Sequence, residues 1–175
     1  KPLILMTPKS LLRHKRATST LKEMGPGSSF HRVLWDDAEF RPGSTVQLQG
    51  DDKIKRVVMC SGKVYYDLLE EREKRGVDNV YLLRVEQFYP YPAQSMIAEL
   101  QRFKKAEMVW CQEEPKNMGA WTFMDPNIEW TLEQIGAKNK RARYVGRPAA
   151  ASPATGLMSR HKQELDDFLN DALTV

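Results

Sequence analysis

From residue 57 onward, short apolar runs alternate with stretches whose apolar residues recur at helical spacing. The apolar runs are rich in Val, Tyr and Leu, which favours strands over residues 57–60, 80–85, 107–111 and 142–145. The helical spacing predicts helices over residues 63–75, 93–105, 127–135 and 157–173. Because strands that alternate with helices usually pair in parallel, we predict an α/β fold with an open, mainly parallel sheet that carries helices on both faces.

The chain of 175 residues is 41% hydrophobic, which suffices for one full core. Apolar stretches fall short of the roughly 18 residues that a membrane span needs, so we predict no membrane association. The beginning of the chain lacks the order of a signal peptide, and the bacterial cytoplasm or the mitochondrial matrix is the predicted location. Cys60 and Cys111 each lie at the end of an apolar run, where we expect buried reduced thiols.

The net charge of +4 comes largely from two basic clusters. Their members are Lys9, Arg13, His14, Lys15, Arg16 and Lys22, and then Lys138, Lys140, Arg141, Arg143 and Arg147. Such clusters are often solvated faces, and no aromatic residues are interleaved as in a nucleic-acid motif. We therefore predict no nucleic-acid binding and keep a small anion or an acidic protein surface as alternatives. No Cys or His spacing indicates a metal site.

The first 56 residues do not share the alternating pattern. Residues 1–6, "KPLILM", predict a buried strand, and residues 10–24 predict a helix. Residues 25–53 are rich in Gly, Pro, Ser and Asp and predict a linker with short strands at 32–35 and 45–48. Leaving Leu3, Ile4, Leu5 and Met6 exposed would forgo about 6–12 kcal/mol, which is comparable with the stability of a whole domain. We therefore expect that this strand belongs to an incomplete upstream domain.

The turn Ser61-Gly62-Lys63 follows the first strand and precedes the first helix of the alternating region. In parallel α/β sheets, such turns carry free N–H groups that bind anions. Gly62 lets the backbone approach a phosphate, Ser61 is a candidate helix cap, and Lys63 adds positive charge. A plain capped turn is the alternative, and the first glycine of a P-loop is missing.

A second loop, residues 144–156, leaves the last strand through small residues, with Arg147 near its start. If this strand lies near the first one in the sheet, Lys63 and Arg147 flank a single anion. One helix terminus contributes only about 0.3–1 kcal/mol, so micromolar affinity requires both loops.

The segment Gln112, Glu113 and Glu114 forms a third candidate, at the end of a predicted strand. Paired carboxylates serve acid–base chemistry in enzymes, but no histidine is nearby in sequence. We therefore predict a structural role or contact with a partner or a second subunit. His161 falls on the apolar side of the last helix and is expected to be packed.

Five segments together resemble the C-terminal region of one family, the first component of 2-oxoglutarate dehydrogenase, which is thiamine-diphosphate-dependent and decarboxylating. They are "PLILMTPKSLLRH" (2–14), "RVVMCSGKVYYDLLEER" (56–72), "RVEQFYPYP" (84–92), "WCQEEPKNMGAW" (110–121) and "YVGRPAAASPATG" (144–156). The resemblance implies a transketolase-like C-terminal domain over residues 54–175, after the linker 25–53. It also implies that residues 1–24 close a pyrimidine-binding domain.

The resemblance further implies a homodimeric enzyme of the tricarboxylic acid cycle. Such an enzyme decarboxylates 2-oxoglutarate and passes the succinyl group to the lipoyl-carrying succinyltransferase, in a complex that includes dihydrolipoyl dehydrogenase. The sequence lacks the Gly-Asp-Gly…Asn segment that holds magnesium and thiamine diphosphate in this family. We therefore expect no catalytic residue and no cofactor in this chain, which should be inactive alone.

Some members of the family bind AMP or acetyl-CoA near this region. The resemblance thus implies an effector site at Ser61, Gly62, Lys63 and Arg147. Two other readings stay open from the residues alone, a free-standing nucleotide-binding α/β domain and a pure protein-interaction module.

Overall fold

The computed structural model describes residues 1–40 and 44–175. Residues 41–43 lie inside the predicted linker and outside the described residues. The chain forms two compact units, Lys1–His31 and Arg32–Val175, which are described separately.

The first unit contains two short 3-10 helices, Lys9–Arg13 and Leu21–Met24. The predicted strand within residues 1–6 is wrong, since the backbone of residues 1–8 adopts no regular structure. A strand needs a neighbouring strand for its N–H and C=O groups, and the described residues of this unit provide none. The four apolar side chains of this segment are more than two-thirds exposed: Leu3 83%, Ile4 79%, Leu5 72% and Met6 93%.

The single helix predicted over residues 10–24 is also wrong. The first 3-10 helix ends before His14, which has an extended backbone, and a new start follows at Thr20. There the Glu23 carboxylate accepts a hydrogen bond from the Thr20 N–H at 2.5 Å, as in a capping box. This local start separates the segment into two short helices.

The second unit is built on a five-stranded sheet. Its strands are β1 (Val33–Leu34), β2 (Arg56–Cys60), β3 (Val80–Val85), β4 (Glu107–Gln112) and β5 (Arg143–Gly146). The spatial order is β1-β3-β2-β4-β5, with β2 to β5 parallel and β1 antiparallel to β3. The predicted α/β class, the mainly parallel sheet and the four strands of the alternating region are confirmed.

Five α-helices accompany the sheet in the described part of this unit. They are α1 (Asp37–Phe40), α2 (Val64–Arg75), α3 (Ala93–Leu100), α4 (Trp121–Gln134) and α5 (Met158–Leu173). Two 3-10 helices, Asp51–Lys53 and Gln101–Phe103, complete it. Helix α4 begins six residues before its predicted start at Asn127, since the buried Trp121 and Met124 hold the segment before Pro126 in helical form.

The core lies on both faces of the sheet. On β2, Val57 and Met59 face the layer of α3 and α4, whereas Val58 and Cys60 face the layer of α2 and α5. Helices therefore cover both faces, as predicted. Cys60 and Cys111 are buried free thiols on the α2–α5 face, which also confirms the prediction.

His161 is exposed, so its predicted packing is wrong. Helix α5 contacts the core through Phe168, Leu169, Ala172 and Leu173, all in its second half. The first half, which includes His161, extends beyond the buried face.

Part of the predicted linker belongs to the second unit. Of the short strands predicted there, 32–35 is observed as β1, whereas 45–48 is not a strand, although Val46 is buried. Asp36, just after β1, is fully buried and bonded to Arg72 of α2. This ion pair joins the segment after β1 to helix α2.

The described residues include no helix that is both long and apolar enough to cross a membrane.

Candidate functional site

Three predicted motifs meet at one edge of the sheet. Strands β2, β4 and β5 are neighbours and end at Cys60, Gln112 and Gly146. Because these strands are parallel, the turns that follow them lie side by side. Ligands of open α/β sheets bind at this carboxyl edge.

The first turn has the backbone that anion binding requires. Gly62 has a φ of +71°, and a Cβ at this position would have no atom within 4 Å, so the turn is open. Helix α2 starts at Val64 with Lys63 at the N-cap position and no side-chain cap. The prediction that Ser61 caps this helix is therefore wrong. In the first turn of α2, the Tyr65 N–H already donates to the Gly62 carbonyl at 3.3 Å and the Tyr66 N–H to the Lys63 carbonyl at 3.0 Å.

Lys63 is paired with two carboxylates. Its Nζ lies 2.5 Å from Asp67 Oδ2 and 3.2 Å from Glu113 Oε2. Partial burial opposes the charged form, but the Asp67 hydrogen bond and the Glu113 charge outweigh it and raise the pKa of Lys63. Lys63 therefore links α2 to the turn that follows β4.

Arg147 is held from the other side of the same turn. Its Nε lies 2.7 Å from Glu164 Oε2, and its Nη1 donates to the carbonyls of Pro153 at 3.2 Å and Glu113 at 3.4 Å. Because β4 lies between β2 and β5, Lys63 and Arg147 flank Glu113. The Glu113 carboxylate thus occupies the position beside Lys63 where an anionic ligand was expected.

Gln112 organises the turn that follows β4. Its Oε1 accepts hydrogen bonds from Trp110 Nε1 and from the Trp121 N–H, both at 3.0 Å. Its Nε2 donates to three carbonyls, those of Met118 at 2.7 Å and of Glu114 and Pro115 at 3.2 Å. Only 3% of Gln112 is exposed, so its amide shapes the loop rather than contacting solvent.

Gly119 shows how closely this loop wraps around the Gln112 amide. It has a φ of +67°, and an added Cβ would lie 3.0 Å from Nε2 and 3.1 Å from Oε1 of Gln112. Both the left-handed backbone and this close approach require glycine.

The two carboxylates of the motif differ in their surroundings. Glu113 is half-buried and bound to Lys63, whereas Glu114 is exposed. Glu114 lines both of the cavities at this edge. Of the three predicted partner-contact residues, Glu114 is therefore the most accessible.

The first cavity has a volume of about 380 Å³. Its apolar walls come from aromatic residues on separate segments, Phe88, Tyr89, Trp110 and Phe123, and Ser61 and Gly62 lie at its margin. Phe88 and Trp110 pack edge to face, with 6.1 Å between ring centroids. This cavity combines flat apolar walls with the open backbone of the first turn.

The second cavity, of about 460 Å³, lies next to the loop that follows β5. It is lined by Arg147, Leu157, Met158 and His161 together with Glu113, Glu114 and the small residues 153–156. The two cavities share Glu114. The structure thus places Ser61 and Gly62 on one cavity and Arg147 on the other, with Lys63 bonded between them to Glu113.

Sequence reasoning did not find the aromatic walls. Phe88 and Tyr89 follow β3, Trp110 is on β4 and Phe123 is on α4. No motif in its own segment marks any of these residues as part of a site. Phe88, Tyr89 and Trp110 shared only their position at or just beyond the carboxyl ends of predicted strands, and Phe123 lacked even this signal.

No group of three or more His, Cys, Asp and Glu side chains is placed to hold a metal ion in residues 1–40 and 44–175.

Residues 18–173 match the family model described as 2-oxoglutarate dehydrogenase C-terminal. The chain belongs to this family.

The curated relatives that match are also 2-oxoglutarate dehydrogenase proteins. The chain is 70% identical over 173 residues to the 2-oxoglutarate dehydrogenase E1 component of Brucella anthropi and to that of Brucella ovis. These alignments cover 99% of this chain and 17% of each relative. The chain therefore spans about a sixth of the length of the curated relatives that it matches.

Proposed function

We propose that this chain is the C-terminal portion of a thiamine-diphosphate-dependent 2-oxoglutarate dehydrogenase. The identity of 70% to the E1 components supports this proposal most directly. The whole enzyme would decarboxylate 2-oxoglutarate in the tricarboxylic acid cycle, in the bacterial cytoplasm, and pass the succinyl group to the lipoyl group of the succinyltransferase. Dihydrolipoyl dehydrogenase would be the third component.

Thiamine diphosphate and magnesium supply the decarboxylation chemistry and would be held by residues outside this chain. The test is release of CO₂ from labelled 2-oxoglutarate with both cofactors present. We expect none from the 175-residue chain alone and activity from the chain within its full-length protein. Release by the chain alone, or inactivity of the full-length protein with 2-oxoglutarate, would contradict the proposal.

Within that enzyme, we propose that the carboxyl edge of the sheet binds a nucleotide effector, AMP or acetyl-CoA. The first cavity supports this proposal because aromatic walls suit an adenine ring. Its margin at Ser61 and Gly62 leads to the N-terminus of α2, where backbone N–H groups and the helix dipole favour a phosphate.

The ion pair of Lys63 and the hydrogen bonds of Arg147 support the proposal, because a bound phosphate could replace Glu113 as their partner. A phosphate at this turn would compete with Glu113 for Lys63, from which Glu113 Oε2 lies 3.2 Å away. Release of Glu113 would also affect Arg147, which donates to the Glu113 carbonyl. Effector binding would then change the conformation of the turn that follows β4.

Isothermal titration calorimetry of the 175-residue chain with AMP and with acetyl-CoA tests this site. We expect Lys63→Glu and Arg147→Glu to weaken binding at least about tenfold, and the exposed Lys74→Glu on the same helix α2 to leave it unchanged. Unchanged affinity in both site variants, or no binding of either ligand to the parent chain, would contradict the effector site.

We also propose that the chain takes part in a homodimer, with the loop of Glu113 and Glu114 at a subunit contact. The exposure of Glu114, and the exposed apolar segment 3–6 in the first unit, support contacts beyond this chain. Sedimentation velocity of the full-length enzyme should show a weaker dimer for Glu114→Lys and an unchanged one for Glu133→Lys, an exposed position on α4. Equal behaviour of the two variants would oppose this contact.

A further inference from the structure

Six exposed lysines lie at the amino edge of the sheet, opposite the two cavities. They belong to three segments that precede β2, β4 and β5: Lys53 and Lys55, Lys104 and Lys105, and Lys138 and Lys140. Each segment also carries a buried apolar residue, and Ile54, Ala106 and Ala137 all belong to the same core cluster. The buried residue anchors each segment on the core, and the lysines beside it are exposed to solvent. We call these six residues the lysine face.

Backbone hydrogen bonds join the three segments. The Glu107 N–H donates to the Lys55 carbonyl at 2.8 Å, and the Lys138 N–H donates to the Lys104 carbonyl at 2.8 Å. The Asn139 amide also donates to the Ala106 carbonyl at 3.4 Å. The turn of Lys104 and Lys105 thus lies between the other two segments, and the lysine face is continuous.

The positive charge of this face is not neutralised within the described residues. None of the six lysines forms an ion pair there, and the stretches 53–55, 104–106 and 136–140 contain no carboxylate. Two neighbouring acids bind other cations, since Glu107 binds Arg56 and Arg143, and Asp51 binds Arg102. Asp52, directly before Lys53, is exposed and is the one carboxylate adjoining these three stretches that binds no other cation in the described residues. Six charges on one edge exceed the net charge of +4 of the whole chain.

We propose that the lysine face binds an acidic polypeptide segment of a partner protein. Like charges held together raise the energy of the free protein, and carboxylates opposite them relieve this cost. Lysine ammonium groups are compact point charges that suit single carboxylates, whereas bidentate recognition of phosphate favours arginine. The three segments also present no aromatic side chain on which a nucleic-acid base could stack, which favours a polypeptide.

Fluorescence anisotropy of the 175-residue chain with a labelled oligoglutamate peptide tests this assignment. The test variant is the triple Lys105→Glu, Lys138→Glu, Lys140→Glu. A matched control makes the same change of charge at exposed lysines elsewhere, Lys74, Lys116 and Lys162. Circular dichroism establishes that each variant is folded.

We expect the lysine-face variant to bind the peptide at least about tenfold more weakly than the parent chain, and the control less than about threefold. Binding by the parent chain should also weaken as salt rises to about 150 mM, where charges are screened beyond about 8 Å. Equal losses in the two variants would show an effect of net charge alone and overturn the proposal.

Two further measurements exclude other occupants. A DNA duplex of equal charge should bind more weakly than the peptide, and tighter binding of the duplex would reassign the face to nucleic acid. Sedimentation velocity should give the same mass for the parent chain and the lysine-face variant. A lower mass for the variant would assign the face to a contact between copies of this chain and overturn the proposal.

Discussion

The buried pair of Asp36 and Arg72 should be the most sensitive single point of the second unit. Both side chains are 0% exposed, and the Asp36 carboxylate accepts from both terminal nitrogens of Arg72, with Arg72 Nη2 to Oδ1 at 2.7 Å. It also accepts from the Leu82 N–H at 2.7 Å and the Ala38 N–H at 2.9 Å. One carboxylate thus joins β3, α1 and α2 beside the edge strand β1.

Asp36→Ala removes all four of these hydrogen bonds and leaves a guanidinium without a counterion in the core. Its remaining partner is the Val80 carbonyl, 3.2 Å from Arg72 Nη1. Breaking a buried pair from one side costs about 3–5 kcal/mol. Because a factor of ten corresponds to about 1.4 kcal/mol, the unfolded fraction should rise roughly 10²- to 4 × 10³-fold.

Urea unfolding of the full chain, followed by circular dichroism and tryptophan fluorescence, measures this free energy. The control is Glu71→Ala, which removes exposed pairs with Arg75 and Lys74 and should cost less than about 1 kcal/mol. In a double-mutant cycle, Asp36→Ala with Arg72→Met should cost less than the sum of the two single changes by about 1–3 kcal/mol. A cost for Asp36→Ala equal to that of the control, or strict additivity, would refute the reasoning.

Three further predictions concern acid stability, the loop after β4 and the thiols. Burial opposes the charge of Glu107, but hydrogen bonds from Arg143 and Arg56 outweigh it and lower the pKa of Glu107. The stability that ionised Glu107 contributes is therefore complete above the unfolded pKa of about 4.3 and is lost as pH falls through the lower folded pKa. Glu107→Gln should therefore flatten the loss of urea stability on acidification, and an unchanged slope would contradict this. Gln112→Ala should lower the free energy of unfolding by about 1–3 kcal/mol, because the Trp110 and Trp121 N–H donors lose their acceptor. The exposed control Gln101→Ala should lower it by less than about 0.5 kcal/mol, and equal losses in urea unfolding would count against this prediction. Burial raises the pKa of Cys60 to about 12, so a disulfide reagent at neutral pH should react with it only as fast as the protein unfolds, and rapid modification of folded protein would disprove this.

The fold of the second unit was predictable because strand and helix patterns are local. Apolar runs of four to six residues followed by amphipathic stretches defined β2 to β5 and α2, α3 and α5 within a few residues. The start of α4 was not predictable, since Pro126 within the helix is a strong local signal against it. Packing of Trp121 and Met124 outweighed that signal.

The first unit shows the opposite case. Residues 1–6 have the composition of a buried strand, but composition alone cannot supply a neighbouring strand. Within the described residues they have none, and their side chains are exposed. The origin of residues 1–24 in a pyrimidine-binding domain stays a prediction.

The candidate site was only partly predictable. Sequence motifs identified Ser61, Gly62, Lys63, Arg147 and the segment 112–114 as separate candidates, and strand order then placed them at one edge. The pairing of Lys63 with Asp67 follows i,i+4 spacing and is local. The other pairings were not visible in the sequence, because Glu113 and Glu164 reach Lys63 and Arg147 only after folding.

The amino-acid sequence by itself determined the α/β class, the parallel strands, the buried cysteines and the family, since each depends on local patterns or on similarity along the chain. Only the tertiary structure decided which charges are neutralised and which remain free. The Glu113 carboxylate binds Lys63 at the carboxyl edge, whereas six lysines from three distant segments meet without a counterion at the amino edge. The physical reason is that Coulomb interactions depend on distance in space, and the order of the strands sets that distance.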